Sequence, residues 1–227
     1  MLPLTNDHCQ RFINRRDAGR TLATSLSRYA GRGDVIVLAL PRGGVPVAYE
    51  VAQALGAPLD LFLVRKLGTP GRRELAMGAI ASGGIRVLNE DVVRWYSIPE
   101  SVIEVVVREE QQELERRERA YREDRPAPDL QNRIVILIDD GLATGSTMRA
   151  AAQAVRERQP SRVVVAVPVG ARETCAELAA YADEVICARM PEPFASVGQW
   201  YLDFDQTEDD EVRALLQKSL TTPQPHR

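Results

Sequence analysis

Apolar residues along this chain follow two rhythms, and the switches between them mark out its elements. Across residues 16–30, Leu22, Leu26 and Tyr29 recur at helical spacing, and "GRGD" at 31–34 stops the helix before the unbroken apolar run "VIVLAL" at 35–40, which predicts a buried strand. After "PRGG" at 41–44, Val47, Val51 and Leu55 recur every four residues up to Gly56, a helix with a glycine cap. "LDLFLV" at 59–64 reads as the next strand. "RKLGTPGRRE" at 65–74 reads as a basic, Gly/Pro-rich loop, and "LAMGAIA" and "GIRVLN" around Gly83 and Gly84 read as a hairpin, the first departure from strand-helix alternation.

Residues 101–124 predict a long helix on which Val107, Leu114 and Tyr121 fall seven apart among mixed charges, a narrow stripe on a solvated helix or, alternatively, the seam of an interface helix. "RPAPDLQNR" at 125–133 breaks it. Strand "IVILID", helix "STMRAAAQAVRERQ", strand "RVVVAVPV", helix "RETCAELAAYA" and strand "EVICA" then alternate. Continuous Val/Ile runs between helices imply an α/β fold whose mainly parallel central sheet is covered by helices on both faces. "MPEPFASVGQWYLDF" at 190–204 is aromatic and irregular. A last helix follows, with Thr207 as its N-cap and three acids in its first turn, and 220–227 is expected to be a disordered tail.

Composition narrows the class. With 227 residues, 44% hydrophobic, 27% charged and a formal net charge of -3, the chain has material for a large core and offers no global field for a polyanion. No nucleic acid or membrane partner is expected, since there is neither a basic patch nor an apolar run of membrane length. Cys9, Cys175 and Cys187 are an odd number without C-x-x-C spacing, which suits a reducing, cytoplasmic setting.

The chemistry concentrates where "VILIDDGLATGST" ends a strand on Asp139 and Asp140 and continues as Gly141, Leu142, Ala143, Thr144, Gly145, Ser146 and Thr147 into a helix. Exposed amides of a small-residue turn at a helix N-terminus suit a phosphate dianion. Carboxylates do not face phosphate, so the acid pair should grip something neutral or cationic beside it. A sugar phosphate satisfies both demands. The Walker loop is excluded because no lysine precedes Ser146, and "GRGDVI" lies before a strand and lacks the third glycine of a dinucleotide fingerprint.

That stretch closely resembles the signature of type I phosphoribosyltransferases, and the order of elements from residue 35 to 188 follows the same family. The resemblance implies a core over 16–190 and a small hood from the terminal segments 1–15 and 191–219. It implies that Asp139 and Asp140 orient the ribose of phosphoribosyl pyrophosphate while residues 141–147 take its 5'-phosphate. Pro41, Arg42, Gly43 and Gly44 stand where the family binds pyrophosphate, with Arg65 and Lys66 as further cations and Gly68 to Glu74, including Arg72 and Arg73, as a mobile lid. The activity implied is transfer of the phosphoribosyl group to a nitrogen acceptor, a nucleobase, with release of pyrophosphate.

Mg2+ is the implied cofactor, held mainly by the substrate, with Asp139 and Asp140 as protein ligands. Ala143 occupies the place of a third acid used by 6-oxopurine members, whereas the stretch around Phe194, Trp200, Tyr201 and Asp203 resembles the base-stacking hood of those same members. The acceptor therefore stays open. So do a homodimer and a second reading, in which the chain is a regulatory module that binds phosphoribosyl pyrophosphate or a nucleotide without turnover.

Overall fold

A computed structural model describes residues 11–122 and 125–221, except for the side chains of residues 73 and 74. The strands β1 (Val35–Ala39), β2 (Leu59–Leu61), β6 (Ile134–Ile138), β7 (Arg162–Val169) and β8 (Glu184–Arg189) form one sheet in the order β2-β1-β6-β7-β8. Every pairing in it is parallel. This is the expected central sheet, and β1 and β6 are buried at every position.

Alternation along those strands divides the core. Val35, Val37 and Ala39 face one apolar layer with α1 (Arg15–Ser25), α2 (Gly44–Leu55) and the last helix, α7 (Asp209–Thr221). Ile36, Leu38 and Leu40 face the other, under α5 (Ser146–Arg156) and α6 (Arg172–Leu178). α2 ends as its pattern requires, on Gly56 at φ 64°, whose amide reaches back to the carbonyls of the last turn.

Five expectations need correction. The run at 59–64 is not one strand: β2 stops at Leu61, and β3 (Val64–Thr69) begins a separate antiparallel sheet of order β3-β4-β5. Phe62 still donates to Ala39 of the parallel sheet, while the Leu63 amide turns away to Ser82 Oγ at 2.8 Å. The expected lid loop, Gly68 to Glu74, is mostly strand, because β3 pairs with β4 (Arg72–Ala81) nearly to its tip. Its glycines serve a register shift at Gly68 and a turn at Gly71, where φ is +73°. The hairpin partner β5 (Ile85–Leu88) is where the sequence placed it.

The long helix is α4 (Glu100–Arg122), and its stripe is buried rather than solvated: Leu114 and Tyr121 join the core with Ile103, and Arg122 is 4% exposed and bonded to Asp60. The last helix begins at Asp209, so Thr207 lies one residue too early to be its N-cap; Asp209, Asp210 and Glu211 do fill its first turn. A short helix, α3 (Glu90–Trp95), capped by the Asn89 side chain, had no counterpart in the sequence reading. Of the expected tail at 220–227, Leu220 and Thr221 are instead the last residues of α7, and 222–227, like Cys9, lie outside the described residues.

The terminal segments meet over the carboxyl end of the sheet. Phe12 bridges Tyr201, and Phe12, Ala18, Val169 and Tyr201 form a third small apolar cluster with Phe194, Val197, Trp200 and Phe204 around it.

Candidate functional site

The chain runs from β1 through α2 to the sheet edge at β2, and later re-enters on the other side of β1 as β6. The crevice between β1 and β6 is therefore the switch point of the sheet, where loops diverge and leave room for a ligand. Ala39 pairs with Ile138, and the Leu40 amide donates to the Ile138 carbonyl at 2.8 Å. That register sets "PRGG" beside the acid pair.

Their contact is close enough to require glycine. A Cβ on Gly43 would stand 2.1 Å from Asp140 Oδ2, and one on Gly44 would stand 2.7 Å from the Ile138 carbonyl oxygen and 2.9 Å from Asp139 Cα. The Pro41–Arg42 peptide between them and the strand is cis. Arg42 extends toward the start of α7, with Glu208 at 3.8 Å and Asp209 at 3.7 Å.

The two acids are differently held. Asp139 Oδ1 accepts from the Asp140 amide at 2.8 Å. Burial, and after it the charge of Asp140, hold the Asp139 carboxyl well above the usual range. Burial also raises Asp140, but Arg15 opposes the shift through a hydrogen bond from Nε to Oδ2 at 2.8 Å. Arg15 in turn stacks over Phe204 at 3.9 Å from the ring centre and donates to the Asp205 carbonyl at 2.6 Å. Tyr201 donates its hydroxyl to the Asp140 carbonyl at 2.6 Å, and burial pushes that phenol up.

The small-residue turn is anchored from beneath. The Leu142 amide donates to the Val169 carbonyl at 2.9 Å, and Thr174 Oγ1 donates to the Ala143 carbonyl at 2.7 Å. Gly145 takes φ 67°, and a Cβ there would stand 2.6 Å from Thr174 Cγ2. Above these anchors Ala143, Thr144, Ser146 and Thr147 are exposed, Thr144 Oγ1 and Ser146 Oγ lying 3.2 Å apart. The first turn of α5 has no intrahelical acceptors for its amides, so they point to the same open space.

Phosphoribosyl transferase domain describes the family model that matches residues 13–204. The chain belongs to that family. Two Mycobacterium tuberculosis proteins, from strains CDC 1551 and H37Rv, bear provisional phosphoribosyl transferase names and are 49% identical over 208 residues, 92% of this chain and 47% of their own length. This phosphoribosyl transferase domain thus spans about half the length of the curated relatives it matches. A crystal structure of a Thermus thermophilus protein is 44% identical, with a TM-score of 0.83 over 92% of this chain and 99% of that one.

Set against the family's pattern, the domain brings Asp139, Asp140, Gly43, Gly44 and the turn 141–147 together and scatters other candidates. Arg65 turns to α4, where Glu110 at 2.5 Å and Glu113 at 3.9 Å hold it. Lys66, the next residue on β3, faces the opposite way and lines a cavity whose wall also includes Ser146 and Thr147. Arg72 lies 5.3 Å from the ring centre of Tyr96 at the far tip of the hairpin. Of the aromatic set, Tyr201 is buried between Phe12 and Phe204 at 5.5 and 4.9 Å, so its ring serves the hood's packing. Phe194 and Trp200 are half-buried, and Asp203 is exposed, accepting from the Asp205 amide. Arg15 is not among the site residues expected from the sequence. Its only signal, a cation in a helix's first turn where anions are favoured, is too weak to single it out.

Proposed function

We propose that this domain transfers the 5-phosphoribosyl group of phosphoribosyl pyrophosphate to a nitrogen acceptor of the nucleobase class, releasing pyrophosphate. The observation that carries this reading is the placing of an acid pair, a small-residue turn at a helix N-terminus and a double-glycine loop around one crevice at the sheet's switch point.

In this reading the amides and hydroxyls of Thr144 to Thr147 hold the 5'-phosphate, and Asp139 and Asp140 receive the ribose hydroxyls. Anchoring the ribose at both ends leaves its anomeric carbon facing the Pro41–Gly44 loop, whose backbone takes the pyrophosphate. Displacement there passes through a cationic sugar, which the adjacent carboxylates favour. Burial raises the Asp140 carboxyl, and Arg15 opposes that rise, favouring the charged form that the task needs.

Among the described residues no group of three or more His, Cys, Asp or Glu side chains gathers to hold a metal. Two carboxylates alone suit a hard cation that draws its other oxygen ligands from substrate and water, which fits Mg2+ with Asp139 and Asp140. When bound it would neutralise the leaving pyrophosphate.

A second reading, binding without turnover, is favoured by the state of the cations. Arg65 is tied to Glu110 and Glu113, and Arg42 has Glu208 and Asp209 as neighbours. Incubation with phosphoribosyl pyrophosphate, Mg2+ and a panel of nucleobases decides between them. Pyrophosphate release dependent on one base supports transfer; tight binding with no release for any base supports the second reading.

A further inference from the structure

Two thiols meet behind the small-residue turn. Cys175 on α6 is 7% exposed, Cys187 on β8 is half-buried, and both are free. Gly170, the residue after β7, lies against the pair. A Cβ built on it would stand 3.0 Å from Cys175 Sγ and 3.4 Å from Cys187 Sγ, so the bare backbone at that point leaves both sulfurs room in one small space.

Their environments differ. A hydrogen bond with Cys187 holds the Cys175 thiol below its ordinary value against the opposing effect of burial, and the Arg172 charge adds to the lowering. The same bond, and burial after it, push the Cys187 thiol up, and Cys187 Sγ donates to the Arg189 carbonyl at 3.0 Å. The thiolate is the reactive form of cysteine, which makes Cys175 the attacking sulfur and Cys187 the resolving one. Burial of Cys175 keeps bulky disulfides away and selects a small oxidant.

The same backbone anchors the turn. Gly170 bridges Leu142, and the Ala171 amide donates to the Leu142 carbonyl at 3.0 Å. Thr174, the residue before Cys175, donates to the Ala143 carbonyl at 2.7 Å. A bond that draws α6 and β8 together over Gly170 therefore acts on three anchors of the turn at once.

We propose that Cys175 and Cys187 form a modification site, oxidised by hydrogen peroxide to an intrachain disulfide that displaces the anchors of the turn and weakens binding there. The Cys175 thiolate attacks one peroxide oxygen, the O–O bond breaks, and the departing hydroxide takes up the proton that Cys175 released, leaving water and a sulfenic acid. The Cys187 sulfur then attacks the Cys175 sulfur, the S–O bond breaks, and the second hydroxide leaves as water with the Cys187 proton. The two thiols together supply the two electrons that reduce the peroxide, and a dithiol reductant reverses the change. Weaker binding of a ribose 5-phosphate rests on the turn 141–147 being its site; formation of the disulfide does not.

The test uses the wild-type chain. Cleavage after Arg172 and Arg189 releases residues 173–189 as one peptide containing both cysteines, while Cys9 falls in residues 1–11. After a small excess of hydrogen peroxide, the peptide 173–189 is expected to be lighter by two hydrogens and closed to alkylation until it is reduced. Free thiols on that peptide, oxygen added to one cysteine alone, or a link to residues 1–11 overturns the site. Hydrogen exchange at amides 142–147 should quicken in the oxidised chain, and unchanged exchange overturns the coupling. Calorimetric affinity for phosphoribosyl pyrophosphate with Mg2+ should fall at least about fivefold, the lower end of ordinary coupling between sites, and return on reduction. Equal affinity in the two forms also overturns the coupling. No binding by the reduced chain counts instead against the proposed function, and the peptide and exchange results still decide this proposal.

Discussion

Arg15 Nε donates to Asp140 Oδ2 at 2.8 Å across a separation of 125 residues, joining the start of the first helix to the acid two residues beyond β6. The same guanidinium holds Phe204 and Asp205, so one side chain ties both terminal segments to the crevice. Arg15→Met leaves Asp140 buried beside Asp139 without its cation. Stability at neutral pH is expected to fall by about 1.5–3 kcal/mol, the worth of a hydrogen bond to a charged group, in urea melts. Ribose phosphate binding should need a higher pH than in the wild type, because the carboxyl then ionises later.

Gly43 is predicted to be irreplaceable. The alanine Cβ would meet Asp140 Oδ2 at 2.1 Å, and the carboxylate that must yield is already held by Arg15. Gly43→Ala should lower affinity for phosphoribosyl pyrophosphate tenfold or more, about 1.4 kcal/mol. Gly33→Ala, where nothing lies within 4 Å of the new atom, should not change it.

Asp139 sets a pH dependence whose sign follows from its raised value. The folded protein keeps that proton to a higher pH than the unfolded chain does. Between the ordinary carboxylate value and the folded one, the folded state therefore holds more protons, and stability falls as pH rises through that window. Asp139→Asn should abolish this component and raise the melting temperature at neutral pH, each kcal/mol gained reading as about 2–4 °C. A melting temperature lowered by the substitution would show that the carboxylate is favourable where it stands.

Leu114 tests whether α4 belongs to the core. It is 1% exposed, and Leu114→Ala should cost about 2–5 kcal/mol by calorimetry or denaturant melts. Val105 on the same helix is 50% exposed, and Val105→Ala should stay within about 0.5 kcal/mol.

The parallel sheet was legible because unbroken Val/Ile runs have few alternatives, and the crevice was legible because acids, glycines and hydroxyls that act together also sit together in sequence. What escaped depends on distance. Nothing local distinguishes Arg15 from Arg16, and only the fold brings it to Asp140. The apolar run from Leu59 to Val64 gives no sign that Leu63 turns to Ser82 and changes sheet, since buried strands of either kind look alike. Gly68, Pro70 and Gly71 read as loop because those residues punctuate turns, yet here they mark a register shift and a hairpin tip inside β3 and β4. The charges of α4 concealed its buried stripe, because Ile103, Leu114 and Tyr121 are few and widely spaced.

The central claim, that Asp139, Asp140 and the turn after them bind a ribose 5-phosphate, is tested most directly by calorimetric titration of phosphoribosyl pyrophosphate with Mg2+ into wild type and into Asp139→Asn with Asp140→Asn. Both substitutions keep shape and remove charge. The affinity should fall tenfold or more in a variant that still melts cooperatively; an unchanged affinity in a folded variant would contradict the claim.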